Sequence, residues 1–129
     1  VTIKEILETY KTIAVVGLSS RASRASYSVS KYMQSAGYRI IPVNPNETSV
    51  LGEKAYPSLD DIPEPIEIVD IFRRPENVPD IVEAAIRRNA RVIWMQLGIS
   101  NDAAEQRARA AGLEVVSDHC ILIEHRALF

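Results

Sequence analysis

Five short apolar runs, alternating with stretches of helical spacing, restrict what this chain can fold into more than any other feature. The runs are IAVVG at 13–17, RIIPV at 39–43, EIVDIF at 67–72, RVIWMQ at 91–96 and LEVVS at 113–117. They are rich in β-branched residues, as strands buried on both faces are. Between them Val29, Tyr32, Met33 and Ala36 recur at helical spacing up to Gly37, a residue suited to closing a helix. Val78, Ile81, Val82, Ala85 and Ile86 repeat the pattern, with Pro79 and Asp80 early and Arg87 and Arg88 late, where a helix start and the helix dipole favour them. Ala104, Ala108 and Ala111 mark a further helix that ends at Gly112. Strands alternating with helices at this spacing predict a five-stranded parallel sheet with right-handed crossovers and helices on both faces. That is a doubly wound, Rossmann-like α/β domain of three αβα layers.

Ahead of the first strand, residues 2–10 read as a short helix, because Thr2 and Glu5 have capping-box spacing and Ile3, Ile6, Leu7 and Tyr10 fall on one face. A helical turn is expected from Ser58 to Ile62, and no element is assigned after residue 117. With 129 residues the whole chain, 1–129, is expected to form one domain. A net charge of -2 excludes bulk attraction to nucleic acid or to an anionic membrane, so any anion site has to be local. Charges at Lys4, Glu5, Glu8 and Lys11 interrupt the only apolar stretch near the start, and one cysteine cannot form an internal disulfide. The cytoplasm is therefore the expected compartment.

Sheets of this kind bind ligands outside the carboxyl ends of their strands, near the point where the strand order reverses. The loop after the first strand runs Gly17, Leu18, Ser19, Ser20, Arg21, Ala22, Ser23, Arg24, Ala25, Ser26 into a helix. Exposed N–H groups at a helix start, two arginines and several hydroxyls suit a phosphate. Only Gly17 stands where a dinucleotide fingerprint needs three glycines, and no Walker lysine follows. The second strand ends in Asn44-Pro45-Asn46, with neither the acid that would hold an NAD ribose nor the arginine that would hold an NADP phosphate. Phe72-Arg73-Arg74 ends the third strand, and successive residues there point in different directions, so one of the two arginines is expected to face the ligand. Gln96-Leu97-Gly98 ends the fourth, where glutamine can read a polar edge and glycine allows close approach. His119 and Cys120 follow the fifth; adjacent side chains point apart, which argues against a nucleophile and base pair. One cysteine and two histidines do not suggest a zinc site.

Taken in order, IAVVGLS at 13–19, GYRIIPVNPN at 37–46, LGEKAYPSL at 51–59, VDIFRRPENVP at 69–79, VIWMQLGI at 92–99 and DHCILIEHRAL at 118–128 give the chain its resemblance to the small CoA-binding protein family. That family comprises stand-alone forms of the CoA-binding Rossmann-like domain of the succinyl-CoA synthetase α-subunit. The resemblance implies that coenzyme A, or an acyl-CoA, is the ligand. Gly17, Leu18 and Ser19 would pass close to its diphosphate, with Arg24 and Ser26 supporting phosphate oxygens. Asn44 and Pro45 would border the adenosine, beside Phe72, Arg73 and Arg74, while Gln96, Leu97 and Gly98 would meet the pantetheine arm and Cys120 would lie near the thiol. DHCILIEH departs from the synthetase, which has a Gly- and Pro-rich turn there. The synthetase's phosphorylated histidine belongs to a domain outside the region of resemblance, so what is implied is binding of a nucleotide-bearing small molecule without the ligase's catalysis; no metal is expected.

Other readings remain open on the residues alone. One is an NAD(P)-dependent oxidoreductase on the same sheet; another is a redox role for Cys120; a third is an engineered or reconstructed scaffold with no ligand. Apolar residues near Leu128 and Phe129 would also allow a homodimer.

Overall fold

Each predicted strand forms, and the helices between them cover both faces of one sheet. The computed structural model describes residues 1–129. Its elements are α1 (Ile3–Thr9), β1 (Thr12–Val16), α2 (Ala25–Ser35), β2 (Arg39–Val43), β3 (Ser49–Val50), β4 (Glu53–Lys54), β5 (Ile68–Ile71), α3 (Val78–Arg87), β6 (Val92–Met95), α4 (Asp102–Ala110), β7 (Glu114–Val116) and α5 (Ile121–Leu128), with short 3-10 turns at Leu59–Asp61 and Pro75–Asn77. The main sheet is parallel, in the order β2-β1-β5-β6-β7. The chain leaves β1 toward β2 and then crosses back to β5 on the other side, so the order reverses above β1.

Alternation along β1 divides the core in two. Ala14 and Val16 point into the layer of α3 and α4, beside Val82, Ala85, Ala104 and Ala108. Ile13 and Val15 point into the layer of α1, α2 and α5, beside Leu7, Val29, Met33, Trp94 and Ile121. Burying one Leu, Ile or Val contributes about 1.5–3 kcal/mol, and both layers are built almost wholly of such residues. Trp94 is packing: it is fully buried, and its Nε1–H donates to the His119 carbonyl at 2.8 Å.

The capping box at the start of α1 is present in both directions, with Glu5 N–H donating to the Thr2 hydroxyl and Thr2 N–H to Glu5 Oε1. The closing segment, left unassigned above, is the helix α5. Its first amide, at Ile121, donates to Gln96 Oε1 at 3.1 Å, and its His125 Nδ1 lies 2.8 Å from the Tyr32 hydroxyl. Leu128 and Phe129 are exposed, the Phe129 ring stacked on His125. No helix is long and apolar enough to cross a membrane.

Candidate functional site

β1, β2 and β5 all end at one crevice, as the reversal in strand order requires. It has a volume of about 640 Å³ and is walled by the first loop and the start of α2, by the turn after β2, and by Phe72 and Arg73 after β5. The walls meet closely at Gly17, whose φ is +92° and whose N–H donates to the Val43 carbonyl at 2.8 Å. A Cβ built on Gly17 would stand 2.6 Å from the Phe72 carbonyl oxygen and 3.3 Å from Arg73 Nε, so only glycine fits between β5 and the loop.

Side chains stitch the loop into shape. Ser19 N–H donates to the Ser26 hydroxyl, Arg21 N–H to the Ser19 hydroxyl and Ser20 N–H to Glu47 Oε2. Asn44, which is buried, donates from Nδ2 to the Leu18 carbonyl at 3.1 Å and accepts Asn46 N–H on its Oδ1. The start of α2 has no such support: its N-cap, Arg24, offers no side-chain acceptor, and the first turn carries no acid. The Ala25 and Ser26 amides have no acceptor in the chain, so they present the positive end of an 11-residue helix to the crevice. Arg21, Arg24 and Arg73 line the same space, and none of them takes part in an ion pair. Unpaired guanidinium groups around free main-chain donors are the kind of surround that suits an anion, in a chain of net negative charge.

Arg73 also borders a second crevice of about 590 Å³ on the α3 side of the sheet. Its lining is mixed: Val43, Pro45, Leu59, Ile81 and Ala84 are apolar, while Asp60, Asn77, Asp80 and Arg87 are polar or charged. A phosphate-suited space and one of mixed lining thus adjoin at Arg73, each within the roughly 300–1,000 Å³ typical of ligand pockets.

A protein-family model described as a CoA binding domain matches residues 11–126, which takes in both crevices and the whole sheet. The chain belongs to the CoA-binding domain family. The uncharacterized protein YneT of Bacillus subtilis (strain 168) is 50% identical over 123 residues, 95% of this chain and 91% of that one. Acetate–CoA ligase [ADP-forming] II of Archaeoglobus fulgidus is 28% identical over 119 residues, covering 88% of this chain but 17% of the ligase. Among solved structures, a hypothetical protein from Pyrococcus horikoshii OT3 superposes with a TM-score of 0.95 at 44% identity, covering 98% of this chain and 89% of that one. Membership supports coenzyme A as the ligand class and bears out the resemblance read from the six segments.

Gly17, Ser19, Arg24, Ser26, Asn44, Phe72 and Arg73 line the first crevice together, and Pro45 lines the second. Leu18 buries its side chain in the core, leaving only main chain at the loop. Of the two arginines after β5, Arg73 faces the crevices, whereas Arg74 is exposed at the start of a 3-10 turn and lines neither. Gln96 is turned inward: it is 4% exposed, and its Oε1 is taken by the first amide of α5. Leu97 is exposed, Gly98 N–H donates to Asp118 Oδ1, and Cys120 is the half-buried N-cap of α5; none of them lines either crevice. His119 Nδ1 lies 3.5 Å from Glu124 Oε2, and the residue lines neither crevice.

The structure adds Ser20, Arg21, Ala25, Asn46 and Glu47 to the first crevice. Arg21 carried a readable signal, being the second arginine of a loop that enters a helix. Glu47 carried none, because its partner, Ser20, is 27 residues away.

Proposed function

We propose that this protein binds coenzyme A, free or as a thioester, and performs no chemistry on it. The diphosphate would lie against the first loop and the start of α2, with the adenosine reaching past Arg73 toward the second crevice. The observation that carries this reading is the set of three unpaired arginines, Arg21, Arg24 and Arg73, around an uncapped helix start. What supports binding without catalysis is that the polar side chains of the first crevice are already engaged in shaping its loop: the Ser26 hydroxyl accepts Ser19 N–H, the Ser19 hydroxyl accepts Arg21 N–H, and Glu47 accepts Ser20 N–H.

Calorimetric and thermal-shift titrations with coenzyme A, NAD and NADP test the ligand class. Coenzyme A at a hundredfold above its Kd should stabilise the fold by about 2.7 kcal/mol, with no comparable effect of NAD or NADP. Arg24→Ala and Arg73→Ala should each weaken coenzyme A binding about tenfold, as loss of a charge-assisted hydrogen bond does, while Arg74→Ala leaves it unchanged. A shift with NADP and none with coenzyme A would reject the proposal.

A further inference from the structure

Glu47 has no part in the binding scheme just described, yet it is the only carboxylate lining the first crevice, among Arg21, Arg24 and Arg73. It pairs with none of those arginines. Its Oε2 instead accepts the Ser20 N–H at 2.8 Å, a short bond of the charge-assisted kind. The turn that carries it is fixed from below, since the Glu47 and Asn46 amides fold back on the carbonyl and side chain of Asn44 at 3.2 and 3.0 Å. Asn44 in turn holds Leu18. The β2 turn therefore grips the first loop twice, once by a buried neutral bond at Leu18 and once by a half-buried anion at Ser20.

A phosphate on the free Ala25 and Ser26 amides shares its crevice with the Glu47 carboxylate, and one that extends along the loop meets the Ser20 amide already taken. Two anions cannot share one amide, and like charges a few ångströms apart repel. The geometry points to Glu47 as a built-in competitor for the phosphates of the ligand: its carboxylate holds the Ser20 amide and a phosphate has to displace it. This inference rests on the reading of the crevice as a phosphate site and adds a control on it. Displacing Glu47 also removes one of the two ties on the 44–47 turn, whose Pro45 lines the second crevice. Occupation of the first crevice is in this way coupled to the wall of the second.

Titration of the wild type, Glu47→Gln and Glu47→Ala with coenzyme A and, separately, with inorganic pyrophosphate tests this. Glutamine keeps the size and an acceptor oxygen but loses the charge; alanine loses both. Both variants should bind either ligand about fivefold more tightly than the wild type, the size usual for a partly exposed charge interaction. Unchanged or weaker binding of both ligands would overturn the inference, since Glu47 would then be idle or a strut for the loop. If coenzyme A bound none of the three proteins while pyrophosphate bound the variants more tightly, the coenzyme reading would fall and the competitor role would stand. If neither ligand bound any of them, both would fall.

Discussion

Gly17→Ala should destabilise the protein by about 3 kcal/mol, whereas the same change at Gly112 should cost about 1 kcal/mol. Both glycines have φ near +90°, so both substitutions force an L-residue into a conformation it disfavours. Nothing lies within 4 Å of a Cβ built on Gly112, which makes it a measure of the dihedral cost alone. At Gly17 the same methyl meets the Phe72 carbonyl oxygen at 2.6 Å. That oxygen cannot retreat freely, because Phe72 N–H donates to the Val16 carbonyl at 2.9 Å and Gly17 N–H donates to Val43 on the other side. Relief would have to separate β1 from β5 or β2 where the crevice opens, so coenzyme A binding should fall with stability in Gly17→Ala and not in Gly112→Ala. Urea unfolding midpoints at constant m-value give the comparison, and equal losses at the two sites would show that the close approach at Gly17 contributes nothing.

The local signals in the chain were those that survive without tertiary contacts. Thr2 and Glu5 cap α1 within three residues of each other, and RIIPV forms β2 with the same bounds, Arg39–Val43, that its composition predicts. Arg73 and Arg74 do diverge, but they lie beyond the end of β5 at Ile71, with Arg73 in a bend and Arg74 opening the 3-10 turn, so the turn and not strand alternation separates them. What was hidden depends on distant partners. The segment after residue 117 opens its helix with Ile121, Leu122 and Ile123 in succession, which shows no helical period; α5 is held by Gln96 and Tyr32, 25 and 93 residues away from their partners Ile121 and His125. The β3–β4 hairpin turns through Leu51 and Gly52, both at positive φ, and leucine is not a residue that announces such a turn. Gln96 directly follows β6 at the ligand edge of the sheet, which by itself predicts a ligand contact. Which way an amide side chain turns is decided by the helix amide that needs it, and that amide belongs to an element the sequence did not reveal.

Asp70→Asn should remove the largest single contribution to the pH dependence of stability. The residue lies in the middle of β5, opposite Val15 and Trp94, 1% exposed, with Oδ1 lacking any hydrogen-bond partner. Burial alone pushes its pKa well above the ordinary carboxylate value, with no neighbouring charge to offset it. Above about pH 3.9 the unfolded chain ionises this group while the folded chain keeps it protonated, so the native state binds one proton more. Stability from Asp70 is then complete below that pH and is lost as pH rises, at about 1.4 kcal/mol per pH unit, until the native carboxyl itself ionises. Glu5, Asp60, Glu64 and Glu83 are shifted the other way, each chiefly by a hydrogen bond to its partner, but they are on the surface, where such pairs contribute little. Asparagine matches the protonated acid in shape and does not titrate. The variant should therefore be close to the wild type in stability near pH 4 and increasingly more stable above it, and a difference that stayed constant with pH would mean that the buried carboxyl keeps its ordinary pKa.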